Sequence, residues 1–169
     1  WDKSYAGGLT LDGAVNATLV LDPGKVYIVD GNLKLKNGAS IAVSGTFGAA
    51  VVYVKGDVTI DDGSKINLGG RPSNLQINLL PTSGKFDMLG NSQGVFLLAS
   101  DNANVTLDTG EIFGAIISDK VTMKNTAKLH YDKTVRTVSV AGSSQWVIKS
   151  IGQSTIVNTP PPPPGPPPG

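Results

Sequence analysis

From Asn32 to Val43 apolar and polar positions alternate, break and alternate again: Leu33 and Leu35 among Lys34 and Lys36, then Asn37-Gly38, then Ile41 and Val43 around Ala42. Successive side chains of a strand point to opposite faces, so this pattern predicts two half-buried strands joined at a turn. Asn-Gly between alternating runs is a strong hairpin signal, and the stretch taken alone fits an antiparallel hairpin as well as two sides of a coil. Twenty-five residues on, the pattern returns. Gly31 matches Gly56, Leu33 Val58, Leu35 Ile60, Gly38 Gly63, Ile41 Ile66 and Val43 Leu68. Copies at a fixed spacing stack like on like, in parallel ladders about 4.8 Å apart. Leu33 is therefore expected over Val58, and Ile41 over Ile66.

The repeat is larger than this pair of strands. Val26-Tyr27-Ile28-Val29 precedes the first copy as Val51-Val52-Tyr53-Val54 precedes the second, so the unit is a coil of three short strands. Further on, the runs from Gly94 and Gly114 align through Ser100-Asp101 with Ser118-Asp119, with two residues deleted before Val-Thr. Leu75 to Leu79 alternates as another strand, bracketed by Pro72 and Pro81 where no ladder donor is needed. Leu9 to Leu21 supplies an opening pair of strands that ends at the turn Asp22-Pro23-Gly24. The fold expected is all-β, a right-handed parallel β-solenoid of about seven or eight coils running to about Val140. Residues 1–158 form one solenoid domain with terminal capping segments, and residues 159–169 a proline-rich tail or linker.

Composition supports strands and turns. Of 169 residues 21 are Gly, and the 13 acids include a single glutamate, Glu111. No stretch carries helical periodicity. A formal net charge of +1 with 16% charged residues argues against nucleic acid or an anionic membrane as partner. No apolar run approaches the roughly 20 residues of a membrane span. The absence of cysteine excludes disulfides and thiolate metal sites. The chain opens at Trp1 with neither methionine nor leader, as a processed product or a fragment does.

Candidate chemistry is sparse, and no catalytic, cofactor or metal site is assigned. His130, the one histidine, has Asp132 two residues on, on the same face of a strand, as a candidate partner, but an edge or terminal-coil histidine bonded locally is the favoured reading. Asp30, Asp61 and Asp62 stand beside glycines, where turn chemistry accounts for them; calcium solenoids repeat aspartate at a strict short period. A carbohydrate-active solenoid would need clustered carboxylates with arginine or aromatic sugar platforms, and the arginines are only Arg71 and Arg136. Thr59, Thr106 and Thr122 hold similar places in their coils without the Thr-x-Thr repeat of an ice-binding face. Asn16-Ala17-Thr18 and Asn104-Val105-Thr106 match the glycosylation sequon, as chance allows in an Asn- and Thr-rich chain.

Two regions suggest subunit contacts. Trp1 and Tyr5 at one end, and Trp146 with the alternating Val147-Ile148-Lys149-Ser150-Ile151 at the other, are suited to cover the open edges of a solenoid or to engage the next molecule. The run Pro160, Pro161, Pro162, Pro163, Pro164, Gly165, Pro166, Pro167, Pro168 favours polyproline II and reaches about 31 Å over ten residues. It reads as a stiff spacer or as a docking strand for a neighbour's aromatic surface.

The lines VYIVDGNLKLKNGASIAVSG, VVYVKGDVTIDDGSKINLGG and GEIFGAIISDKVTMKNTAKLHYD, closed by Gln145-Trp146-Val147, resemble the C-terminal β-solenoid domain of PilX-type pilus-assembly proteins over roughly Pro23 to Trp146. The membrane-inserting N-terminal helix of that family has no counterpart in these residues. The resemblance implies an extracellular or bacterial cell-surface location in association with type IV pili or related filaments. The expectation is a non-enzymatic structural subunit that self-associates through its solenoid ends, and in part its proline tail, or joins other pilus and surface proteins. The alternative is an adhesin-type module that recognises a surface glycan or protein through the loops at Gly69 to Ser73 or Thr82 to Lys85. A carbohydrate-active enzyme is the least favoured reading.

Overall fold

The computed structural model describes residues 1–15, 17–45 and 47–137. Trp146, the segment Ser139 to Val157 and the proline run lie outside them. The chain winds as a stack of rungs, each of three short strands. The first rung is β1 (Lys3–Ala6), β2 (Leu9–Asp12) and β3 (Thr18–Leu21); the second is β4 (Val26–Asp30), β5 (Leu33–Lys36) and β6 (Ser40–Val43). The third is β7 (Ala50–Val54), β8 (Val58–Ile60) and β9 (Lys65–Ile66). Then come β10 (Leu75–Leu79), β11 (Lys85–Met88), β12 (Gln93–Ser100), β13 (Asn104–Asp108), β14 (Glu111–Ile117), β15 (Lys120–Lys124) and β16 (Lys128–Tyr131). Each strand pairs in parallel with the equivalent strand one turn away, as a β-solenoid requires.

The predicted register holds at residue level: Leu33 pairs with Val58, Leu35 with Ile60, Ile41 with Ile66 and Val26 with Val51. In the later turns Leu97 pairs with Ala115 at a spacing of 18, and Val105 with Val121 at 16, which is the expected two-residue deletion. The Asn37-Gly38 turn makes a coil corner. Both residues take positive φ, 54° and 74°, yet β5 continues into β6 without pairing to it, because parallel partners in β3 and β9 await β6. Leu9 to Leu21 likewise divides between two ladders.

The second ladder runs β2, β5, β8, β11, β13, β15, so there are six rungs and about five turns, fewer than the seven or eight coils expected. The early turns consume more chain. Spacing along the first ladder is 25 from Val26 to Val51 and from Ala50 to Leu75, and falls to 21 and 18 only later. The extra residues sit at corners, in the segments 44–49 and 67–74. Where the turn tightens, the corner vanishes: β12 runs continuously from the third ladder, where Gly94 pairs with Ile66, into the first, where Leu97 pairs with Gln76.

The interior is a column of stacked aliphatic side chains, Leu35, Ile60, Met88 and Leu107 among them, each fully buried. Phe86 and Phe96 fill it where the coil tightens, their ring centroids 6.0 Å apart. Gly94 makes room for them, since a Cβ there would lie 2.2 Å from the Phe96 ring.

The two ends differ. At the first rung Tyr5 packs half-buried on the core in register with Val29, and the Lys3 ammonium lies 5.2 Å from its ring centre. At the last rung Val121 and Met123, in register with the buried Val105 and Leu107, are 42% and 47% exposed. Leu129, in register with buried Ile112, is 37% exposed.

Candidate functional site

The third ladder places Gln93, Glu111 and Lys128 in one column and Val95, Phe113 and His130 in the next but one. Ile112 between them points inward and is fully buried, so by the two-residue period both columns point out on the same side. Directly opposite and diagonal neighbours on one face of a sheet are within reach of long side chains. Gln93 Nε2 accordingly donates to Glu111 Oε2 at 3.0 Å, and His130 Nε2 donates to Glu111 Oε1 at 2.8 Å. Lys128 Nζ stands 3.8 Å from the same carboxylate. The hydrogen bond from His130 is the main reason the Glu111 carboxyl stays below its ordinary pKa; desolvation opposes it, and the Gln93 hydrogen bond and the Lys128 charge add smaller lowering effects. The His130 ring stacks on Phe113 at 4.3 Å between centroids, the two planes nearly parallel at 7°.

Beside this pair opens a cleft of about 500 Å³ lined by Gly70, Pro72, Val95, Phe113, His130 and Tyr131 through Lys133. The loop Gly69 to Ser73 thus borders it, as one of the two loops suggested for recognition. The other, Thr82 to Lys85, is tied down: Thr82 Oγ1 donates to the Lys55 carbonyl at 2.7 Å, and Asp57 Oδ1 accepts from the backbone N–H groups of Gly84 and Lys85.

His130 therefore pairs with Glu111 and not with Asp132. Asp132 Oδ1 accepts from the backbone N–H and Oγ1 of Thr134 at 2.8 and 2.7 Å, which starts the short 3-10 helix Lys133–Thr137 and lowers the pKa of its carboxyl. Both Glu111 oxygens are likewise taken, so the carboxylate orients His130. The arrangement offers a stacked aromatic edge, hydrogen-bonding groups and a lysine beside a cleft, which is the chemistry of binding. Sequence spacing points to Asp132 because the partner actually used sits 19 residues earlier, one turn below; only the register of the tightened coil brings it in.

The other candidates separate. Trp1, 74% exposed, meets Tyr53 edge-on at 5.3 Å between centroids, along the outer side of the first ladder and not across the end. Tyr5 packs half-buried against the core at the first rung. Asp62 turns the chain at φ 54°, and Asp61 Oδ1 accepts the Asp62 N–H at 2.8 Å; Asp30 faces Lys55 at 3.0 Å. Among the described residues no three His, Asp or Glu side chains gather as a metal site. Thr59, Thr106 and Thr122 share an outward column, interrupted by Asp87.

A family model described as a domain of unknown function, DUF7305, matches residues 5–138. The chain belongs to the DUF7305 family. No curated protein and no solved structure matches it. The match runs from within β1 through the last rung of the DUF7305 solenoid and includes Glu111, Phe113 and His130. No helix among the described residues of this DUF7305 chain is long and apolar enough to cross a membrane.

Proposed function

We propose that this protein is a non-enzymatic structural module of the bacterial cell exterior, a rod associated with pili or related surface filaments that is extended by β-strand addition at its last rung. One observation carries the proposal: Val121, Met123 and Leu129 are core-facing by register and yet exposed, while at the first rung Tyr5 packs half-buried on the core with the Lys3 ammonium over its ring. A parallel ladder that ends on apolar side chains and unpaired backbone groups is a template for another strand. The resemblance of the repeat lines to PilX-type solenoids supports the location and the kind of assembly.

Negative-stain electron microscopy of the purified chain across a concentration series, with and without Pro160 to Gly169, tests it. Filaments or end-to-end rods of solenoid width support assembly through the ends, and their loss on truncation gives the tail a part in the contact. Isolated short rods at every concentration overturn self-assembly.

The adhesin reading is favoured by a different observation, the stacked Phe113 and His130 rings beside the cleft. A monomer that binds a surface glycan or protein, and loses that binding in Phe113→Ala with its melting temperature kept, would replace the first reading.

A further inference from the structure

Among the described residues β15 ends the second ladder, with β13 on one edge and no strand on the other. Asn104, Val105, Thr106, Leu107 and Asp108 of β13 stand opposite Lys120, Val121, Thr122, Met123 and Lys124. The two strands, NVTLD and KVTMK, agree in kind at their three central positions and differ at both ends. Val105 and Leu107 are fully buried, so Val121 and Met123 continue the same inner columns, while Lys120, Thr122 and Lys124 point outward by the two-residue period. A strand offers the same side chains to both of its edges. The chemistry that suits β13 on one edge therefore suits an added strand on the other.

Where this protein sets a lysine in an outward column, an acid recurs beside it. Asp12 stands opposite Lys36 with 2.8 Å between Oδ2 and Nζ, Asp108 stands opposite Lys124, and Glu111 stands opposite Lys128 at 3.8 Å. Opposite charges side by side on a sheet stabilise it, and like charges do the reverse. The last rung breaks off on lysine. Asp108 Oδ1 is taken by Nδ2 of Asn125, and Lys120 and Lys124 form no ion pair among the described residues. The open edge thus carries two apolar side chains that lack a cover and two ammonium groups that lack a counter-charge.

We propose that this edge accepts an extended strand of another protein in which apolar residues alternate with acids: apolar side chains over Val121 and Met123, and a carboxylate against each of Lys120 and Lys124. The inference rests on the strand-addition reading above and adds the chemistry of the partner. Backbone pairing supplies affinity without regard to sequence, and the side chains supply the choice. Edge lysines hold off a strand that brings no matching charge, so the residues that prevent pairing at random are the ones that admit an acidic strand. A second copy meets the pattern only in part. Continued in register, its β2 would set Asp12 against Lys124 but Gly8 against Lys120. Its β1 would bring Lys3, which lies in register with the core residue Tyr27, into the inner column. A fully matched strand is therefore expected to displace end-to-end contacts between copies.

Fluorescein-labelled peptides GEVTLDG and GKVTLKG, titrated with the full chain and followed by polarisation, test the proposal. The acidic peptide is expected to bind at least about ten-fold more tightly, since two opposite-charge pairs replace two like-charge ones. Its advantage is expected to shrink as salt rises from about 0.05 to about 0.5 M. Lys120 and Lys124 are both exposed, so Lys120→Glu with Lys124→Glu is expected to keep the β-rich circular dichroism spectrum and to reverse the preference between the peptides. Equal binding of the two peptides overturns the proposal, as does a preference that survives the charge reversal. Binding of neither peptide under conditions where micrographs show end-to-end rods overturns it too and assigns the edge to a second copy. Binding of neither peptide with no rods at any concentration removes the strand-addition reading along with it.

Discussion

Ile60 lies in the middle of the aliphatic column, fully buried between Leu35 of the rung before and Met88 of the rung after. Ile60→Asp sets a carboxylate there with no partner and is expected to cost about 4 kcal/mol; a urea midpoint equal to that of the parent would mean the side chain faces out. Backbone space is as specific. Gly31 sits at φ 148°, where an added Cβ would stand 2.7 Å from the backbone N of Gly8, whereas Gly38 at φ 74° has open space around it. Gly31→Ala is therefore expected to destabilise by about 3 kcal/mol and Gly38→Ala by about 1 kcal/mol, an order that paired thermal melts would reverse if the corners were loose. Asp12 accepts from Lys36, Asn37 and the backbone N–H of Ala14, in that order of effect, and its pKa falls from 3.8 to about 2. A depressed carboxyl stabilises the fold above its unfolded pKa and loses that contribution as pH falls through the folded one. The advantage of the parent over Asp12→Asn in melting temperature is thus expected to be full above pH 3.8 and to shrink toward pH 2; a gap independent of pH over that range would contradict the bonded geometry.

At the scale of the strand, legibility followed the number of sides buried. Leu33, Leu35, Val58 and Ile60 were readable because one side of the second ladder is wet, so alternation and the spacing of 25 both show in the sequence. Val51 and Leu97 read only as apolar runs, because a strand buried on both sides loses the alternation that tells inside from outside. The turn count was overestimated for a related reason: corner segments such as 44–49 and 67–74 add residues without adding rungs. At the last rung Lys120 and Lys124 flank Val121 and Met123 and partly shield the edge, since edge lysines disfavour pairing. Met123→Lys places a further charge where an added strand would lay its inner side chain. Because Met123 is already 47% exposed, the melting temperature is expected to change little, while end-to-end association is lost in the micrographs; association that survives would move the contact away from this rung.

For the whole molecule the decisive property is that each rung pairs along its ladders only with the rung before and the rung after, with spacings of 25 shortening to 18 along the first ladder. Stability is then close to a sum of nearest-neighbour terms, and rungs are separable units. In the filament role proposed above, the rod is also a mechanical element. Pulled by its two ends, such a coil unwinds from a terminus, and the ladder bonds of one turn break while those of the next still hold. Each release adds the extended length of one turn, about 85 Å for a 25-residue turn and about 60 Å for an 18-residue one. In an optical trap the rod is expected to lengthen in successive unequal steps with the shorter ones belonging to the last turns, whereas a single rupture of the whole chain would show that the rungs fail together. A rod that yields turn by turn dissipates load and can rewind when tension drops, so the feature that made the sequence repetitive also makes the molecule extensible.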